Sequence, residues 1–279
     1  MIRLAQWILS GALLAFVFAA SAQAQQTDLL EEIVKRGEIR VGTVLSAPYV
    51  MKNPKSGELE GAVVDMGARL AKGLNVKLTW VETGFDTMIA GLQAGQYDIV
   101  MTISGRGLSR AQSVWFTKPW IIGAQSFLVR KDDKLRTRED LDKEGNVIVV
   151  TLGSQAHTLY TKTDPNFFKH ATVKALTAPA LPAQEVASGR AVAFGDGMTE
   201  TGQIAKEFPE WAESIILPET RKATGAGFIV PQGQANLLHY MDLFVDDMIQ
   251  SEYILGLADK WGMVKDAIVT GYPTYGSER

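Results

Sequence analysis

Cysteine is absent from the 279-residue sequence, which excludes disulfides, thiolate metal sites and a lipid-bearing N-terminal cysteine. Histidine is scarce: His157, His170 and His239 stand far apart and without metal-site spacing. Excess positive charge is missing too. With 28 Lys and Arg against 31 Asp and Glu, the net charge is −3. The chain has no basic patch for nucleic acid and no polybasic stretch for a membrane surface. It carries no low-complexity tract, no short repeat, no phosphate-cradling glycine motif and no GxSxG elbow around Ser154. Long apolar runs are confined to the start. Met1–Ala24 combines a basic Arg3, an apolar run from about Trp7 to Ala20 and the small-x-small site Ala22-Gln23-Ala24. This is the pattern of a secretory signal peptide cleaved after Ala24, and the run is short of the about 20 residues of a membrane span. Cleavage would release a periplasmic chain one unit more acidic. It would leave about 250 residues, enough for one large α/β unit or two lobes.

What is present centres on Asp98–Trp120, DIVMTISGRGLSRAQSVWFTKPW. Asp98–Met101 reads as a buried strand. Thr102, Ser104, Gly105 and Gly107 form a small polar turn that lets backbone approach a ligand and offers hydroxyls. Arg110 then sits at a helix start, with Ser109 as the expected N-cap. A strand, a small turn and an arginine together suit a small carboxylate held beyond the strand's carboxyl end. An exposed arginine in an ordinary loop is the alternative. Around this stretch, strands and helices alternate: helices at Asp28–Arg36, Ala62–Leu74 and Thr87–Ala94 (capped by Asp86), strands at Ile39–Thr43, Val76–Val81 and Tyr97–Met101. The alternation predicts a parallel sheet. A second set follows, with strands at Ala124–Arg130, Val147–Thr151, Val173–Leu176 and Ala191–Phe194. Gly227–Val230 and two final helices return the chain. Two α/β sets place a ligand cleft between lobes.

The segments RVGT, PYVMKNPKSGELEGAVVDM, GFDTMIAGLQAGQYDIVM, LSRAQSVWFTKPW, FIVPQG and SEYILGLADKWG resemble the amino-acid-type (family 3) periplasmic solute-binding proteins of ABC importers, from about Glu38 to Trp261. The resemblance implies an α/β, two-lobed periplasmic-binding-protein fold (type II) with two hinge-crossing strands. Lobe one would be 26–120 plus 226–279 and lobe two 125–222, with crossings near Trp120–Ala124 and Ala223–Ala226. It implies capture of an amino acid or related small carboxylate, delivery to an ABC-type permease, and a monomeric chain without cofactor, metal or catalysis. By the family's pattern Arg110, twelve residues after Asp98, grips the ligand carboxylate. Asp196 in FGDG holds the ammonium, or else serves as a turn-forming Asp. Phe85 stacks on the ligand, or else packs in the core. Thr102, Ser104, Gly105, Ser154 and Gln155 complete the carboxylate site.

Departures from the pattern carry information. Val44-Leu45-Ser46 replaces a segment that is usually acidic or aromatic, which disfavours Lys, Arg or ornithine as ligand. Gly105 replaces a hydroxyl residue, Gln155 a threonine, and Arg106 is either a surface residue or a second cation for an acidic ligand. Cyclohexadienyl (prephenate/arogenate) dehydratases use the same fold, and DGMTET, Asp196–Thr201, resembles their acidic stretch. Glu200 is therefore either a general acid or an exposed residue in a helix's first turn. Trp80, Trp115, Trp120, Trp211 and Trp261 are expected in core and hinge packing, with Trp120 near the cleft.

Overall fold

The computed structural model describes residues 28–177, 180–221 and 224–271. The expected signal peptide and the Ala223 start of the second crossing lie outside the described residues.

The chain runs α1 (Leu29–Arg36), β1 (Glu38–Thr43), β2 (Met51–Lys52), β3 (Leu59–Glu60), α2 (Ala62–Leu74), β4 (Lys77–Glu82), α3 (Met88–Gln93), β5 (Ile99–Val100), α4 (Leu108–Ala111) and β6 (Val114–Phe116). It continues through β7 (Ile121–Gly123), β8 (Gln125–Arg130), α5 (Arg138–Leu141), β9 (Val147–Thr151), α6 (Gln155–Thr158), β10 (Thr172–Leu176), α7 (Ala180–Ala187), β11 (Ala193–Gly197), α8 (Met198–Glu207) and β12 (Ala212–Ile215). It ends with β13 (Thr224–Ala226), β14 (Ile229–Pro231), α9 (Ala235–Gln250) and α10 (Tyr253–Trp261). Helix ends follow local chemistry. Asp28 Oδ1 accepts from the Leu30 and Glu31 N–H groups, and Gly37, at φ +71°, closes α1 in the left-handed conformation that favours glycine. Two expected caps are displaced. α3 is preceded by Thr87 rather than Asp86, and α4 by an extended Gly107, so Ser109 falls inside the helix.

The first sheet has the order β4-β1-β5-β14-β6, the second β10-β9-β11-β8-β12. In each, three neighbouring strands are parallel, as the alternation predicts; one strand, β14 or β8, runs against them, and the edge strand β6 or β12 pairs antiparallel to it and so runs with the first three. β7 and β13 pair antiparallel as the chain passes from one sheet to the other and back. Each sheet has its own core. Ile39, Val41, Met66, Leu70, Met241 and Val245 pack at the first, and Phe127, Ile148, Val150, Tyr160, Phe167 and Phe168 at the second. Trp120, fully buried at the start of the first crossing, lies edge-on to Tyr49 at 5.9 Å and stacks on Phe228 at 5.8 Å. It is hinge packing rather than a cleft wall.

Asp98 explains how β5 is held. It is 1 % exposed and accepts from Arg40 N and from the guanidinium groups of Arg36 and Arg40. A buried carboxylate needs such partners, and here they fix the strand that leads into the polar turn before Arg110.

Candidate functional site

A cavity of about 270 Å³ lies between the two sheets. This is at the small end of the roughly 300–1,000 Å³ of small-molecule sites. Its walls are the segments just beyond the carboxyl ends of β1, β4, β5, β9 and β11, and its floor is the two crossings. Phe85, Ser104, Gly105, Arg110, Ser154, Gln155 and Asp196 all line it. Thr102 does not. It is buried, and its hydroxyl donates to the Val44 carbonyl at 3.4 Å, tying the turn to the loop after β1.

Arg110 reaches out of α4 with its guanidinium held by neutral oxygens. Nη1 donates to Ser104 Oγ at 3.1 Å and to the Gly105 carbonyl at 3.4 Å, and Nη2 donates to the Gly153 carbonyl at 2.5 Å. Burial lowers its pKa, and no carboxylate offsets that cost. An arginine remains charged regardless, so a desolvated cation faces the cavity in a geometry suited to a carboxylate.

The turn around Arg110 is built by two substitutions that fit each other. The Gln155 amide lies over Gly105, where any Cβ would overlap it, and its Nε2 donates to Thr224 Oγ1 at 2.8 Å. Gly105 is thus small so that Gln155 can cross to the second hinge strand. Gly153, at φ +76°, brings the second lobe's turn against the backbone of Phe85 and Asp86, where a Cβ would clash. His157 Nδ1 accepts from the Gly153 N–H, and Ser154 Oγ accepts from His157 N, so both side chains shape this turn. Arg106 is exposed and borders a separate surface groove, as its surface reading expected.

The other charge in the cavity is acidic. Asp196 ends β11, its Oδ1 accepting from the Gly197 N–H at 2.9 Å. Glu200 lies in the first turn of α8 and lines the cavity, facing Ser46 from the loop after β1. Tyr49 and Thr199 face each other across the same gap. Burial raises the pKa of both carboxyls, and the Asp196 charge raises Glu200 further, so the pair retains a proton near neutral pH. The alternative of a solvent-exposed Glu200 is corrected here, because α8 starts directly at the carboxyl end of β11, the central strand, and its first turn lines the cavity.

Sequence reasoning missed Gln125, Thr151, Tyr49 and Thr224 in the lining. Gln125 carries the one legible signal, a polar residue opening β8 ahead of its apolar Phe127-Leu128-Val129 centre. Gln125 is 7 % exposed and Thr151 2 %, and neither Gln125 Oε1 nor Thr151 Oγ1 has a hydrogen-bond partner. Buried polar atoms are rarely left so, and both residues line the cavity.

The model of the bacterial extracellular solute-binding proteins, family 3, matches residues 39–264. A probable amino-acid ABC transporter periplasmic-binding protein, y4tE of Sinorhizobium fredii, is 28% identical over 194 residues, 67% of this chain and 62% of the relative. The chain therefore spans less than two thirds of that relative's length. Among solved structures, an ancestral amino acid-binding protein described as a precursor of cyclohexadienyl dehydratase is 31% identical, with a TM-score of 0.76, over 83% of this chain and 98% of that one. An ancestral arginine-binding protein bound to arginine is 26% identical, with a TM-score of 0.72, over 81% and 98% respectively. A cleft closed by two α/β lobes and a family match over most of the chain agree: this protein belongs to the family 3 bacterial extracellular solute-binding proteins.

Proposed function

We propose that this protein binds an amino acid or related small carboxylate in the cavity between its lobes and delivers it to an ABC-type permease. The observation that carries the reading is a desolvated arginine without an acidic partner, on one lobe, sharing a cavity with a half-buried carboxylate pair on the other. Arg110 receives the ligand carboxylate, with Ser104, Gly105, Ser154 and Gln155 around it, and Asp196 receives the ammonium. Phe85 supplies an apolar face. Anion and cation grips on separate lobes couple binding to closure, because a single ligand meets both in the closed form alone. Similarity to amino-acid-binding relatives supports the ligand class.

The lobes comprise 26–120 with 226–279, and 125–222, and the chain is exported on a signal peptide cleaved after Ala24 and acts as a monomer. Among the described residues, no helix is long and apolar enough to cross a membrane. The test is calorimetric titration of protein stripped of ligand by unfolding and refolding, with amino acids, small carboxylates and prephenate. One-to-one binding of an amino acid, lost in Arg110→Ala, is expected. Prephenate turnover that vanishes in Glu200→Gln would replace this reading with a dehydratase.

A further inference from the structure

Resting on the amino-acid reading, we propose that the ligand is an amino acid with a second cationic group on its side chain, and that Glu200 is the residue that selects that group.

The argument is one of charge balance in an enclosed space. The ionisable side chains lining the cavity, phenol apart, are Arg110, Asp196, Glu200 and Glu207, the last exposed at the rim. An α-amino acid matches its carboxylate to Arg110 and its ammonium to Asp196. Glu200 is then left over. A ligand with a neutral side chain leaves Glu200 protonated or unpaired, and an acidic side chain sets a second carboxylate against it. A cationic side chain gives it the partner that a buried charge requires.

Position agrees with this count. Arg110 is tied to Ser104, Gly105 and Gly153, whereas Glu200 faces Ser46 and Tyr49, at the part of the cavity formed by the loop after β1. Leu45, Ile122 and Met198 line the same cavity and suit a methylene stem. The unpartnered Gln125 Oε1 adds an acceptor for a charged N–H group. Val44-Leu45-Ser46 does lack an acid, as the sequence shows. α8 supplies one from the opposite lobe.

Binding then carries a proton signature. The titratable groups against Glu200 are Asp196 from β11 and Tyr49 from the loop after β1, with Glu207 two turns further along α8. The Asp196 charge disfavours ionisation of Glu200 in the free protein, as does burial, and Ser46 partly offsets them. A distal cation pairs with the ionised form, so its binding expels the proton held by the pair. Affinity for a cationic ligand rises with pH until the free pair is fully ionised, and then levels off. A neutral ligand shows no such slope.

The experiment titrates the stripped chain with L-arginine, L-ornithine, L-citrulline, L-glutamine and L-glutamate, in two buffers of different ionisation enthalpy. Arginine and citrulline differ little in shape, so their ratio isolates charge. The expected result is at least about tenfold preference for arginine or ornithine, with proton release on binding. Glu200→Gln should abolish both the preference and the proton release while still binding the neutral amino acids. If Glu200→Gln fails to fold, the wild-type ratio and proton count decide alone. Equal or tighter binding of citrulline, glutamine or glutamate overturns this inference and leaves the amino-acid reading standing. A preference that survives Glu200→Gln likewise overturns it. Binding of no amino acid overturns both.

Discussion

The two ends of the cleft are built on opposite plans. Arg110 makes three bonds to neutral oxygens: those to Ser104 and Gly105 on its own lobe orient it before closure, and the one to Gly153 completes the grip in the closed form. Asp196 and Glu200 have few protein partners, and burial together with their mutual repulsion raises the pKa of the pair so that it retains a proton near neutral pH. One grip is preorganised and always charged. The other acquires full charge when something cationic displaces the proton. An anion site of the first kind is indifferent to pH, and a cation site of the second kind is governed by it.

The sharpest way to break this comparison is at its rigid end. Arg110→Ala should weaken ligand binding by about 1.5–3 kcal/mol or more, since a charge-assisted bond in a desolvated site is lost. Calorimetry reads the loss directly, and a normal melting temperature would assign it to the site rather than to the fold. Unchanged affinity would remove Arg110 from the ligand and with it the contrast between the two ends.

Closure is the next target, because the Arg110 end depends on Gly153. A Cβ there meets the backbone of Phe85 and Asp86 from the other lobe, at a φ that L-residues seldom adopt. Gly153→Ala should reduce affinity by about 1–2 kcal/mol, the scale of left-handed backbone strain, while each lobe's own core is undisturbed. Small-angle scattering should show the ligand-bound variant remaining more extended than the wild type. Full compaction with wild-type affinity would mean that the turn at Gly153 is not what the closed form requires.

At the acidic end the expected signal is in pH. Asp196 and Glu200 have folded-state pKa values raised above those of the unfolded chain, so the folded form binds more protons across that interval. The stability of the ligand-free protein should therefore fall as pH rises from about 4 through the raised values, and flatten beyond them. Glu200→Gln should reduce the slope, and Arg110→Ala should leave it in place. Melting temperatures across the range test this, and identical slopes in wild type and Glu200→Gln would sink the shared-proton account.

How much of this was legible in the chain depends on how local each feature is. The strand into Arg110 was readable because apolar residues, small polar residues and arginine follow one another in sequence. The parallel sheets were readable for the same reason. Thr102 was misread because β5 stops at Val100, so strand alternation does not carry on to decide which way a side chain two residues later points. Glu200 was read as exposed or catalytic because its orientation is set by the lobe opposite, a contact absent from the local pattern. Thr224 enters the cavity through the pairing of β7 with β13, strands 101 residues apart at the Thr224–Gly123 contact, and Gln125 through the pairing of β8 with β11. Such pairing leaves no periodic trace in the segments.

The smallest expected effect concerns the two departures from the family pattern at the Arg110 turn. Gly105 stands in place of a hydroxyl residue and Gln155 in place of a threonine, and the amide of one occupies the space that the other vacates. A double-mutant cycle separates coincidence from coupling. Gly105→Ser alone should displace the Gln155 amide and break its bond to Thr224, and Gln155→Thr alone should leave a gap. The double variant should recover part of the combined loss, with a coupling energy of about 0.5–1 kcal/mol, as expected for residues in direct contact. The readout is ligand affinity, because the pair joins Arg110's turn to the second crossing and so acts in the closed form. Strict additivity would mean that the rigid end of the cleft owes nothing to this pair. Its preorganisation would then rest on Ser104 and Gly153 alone.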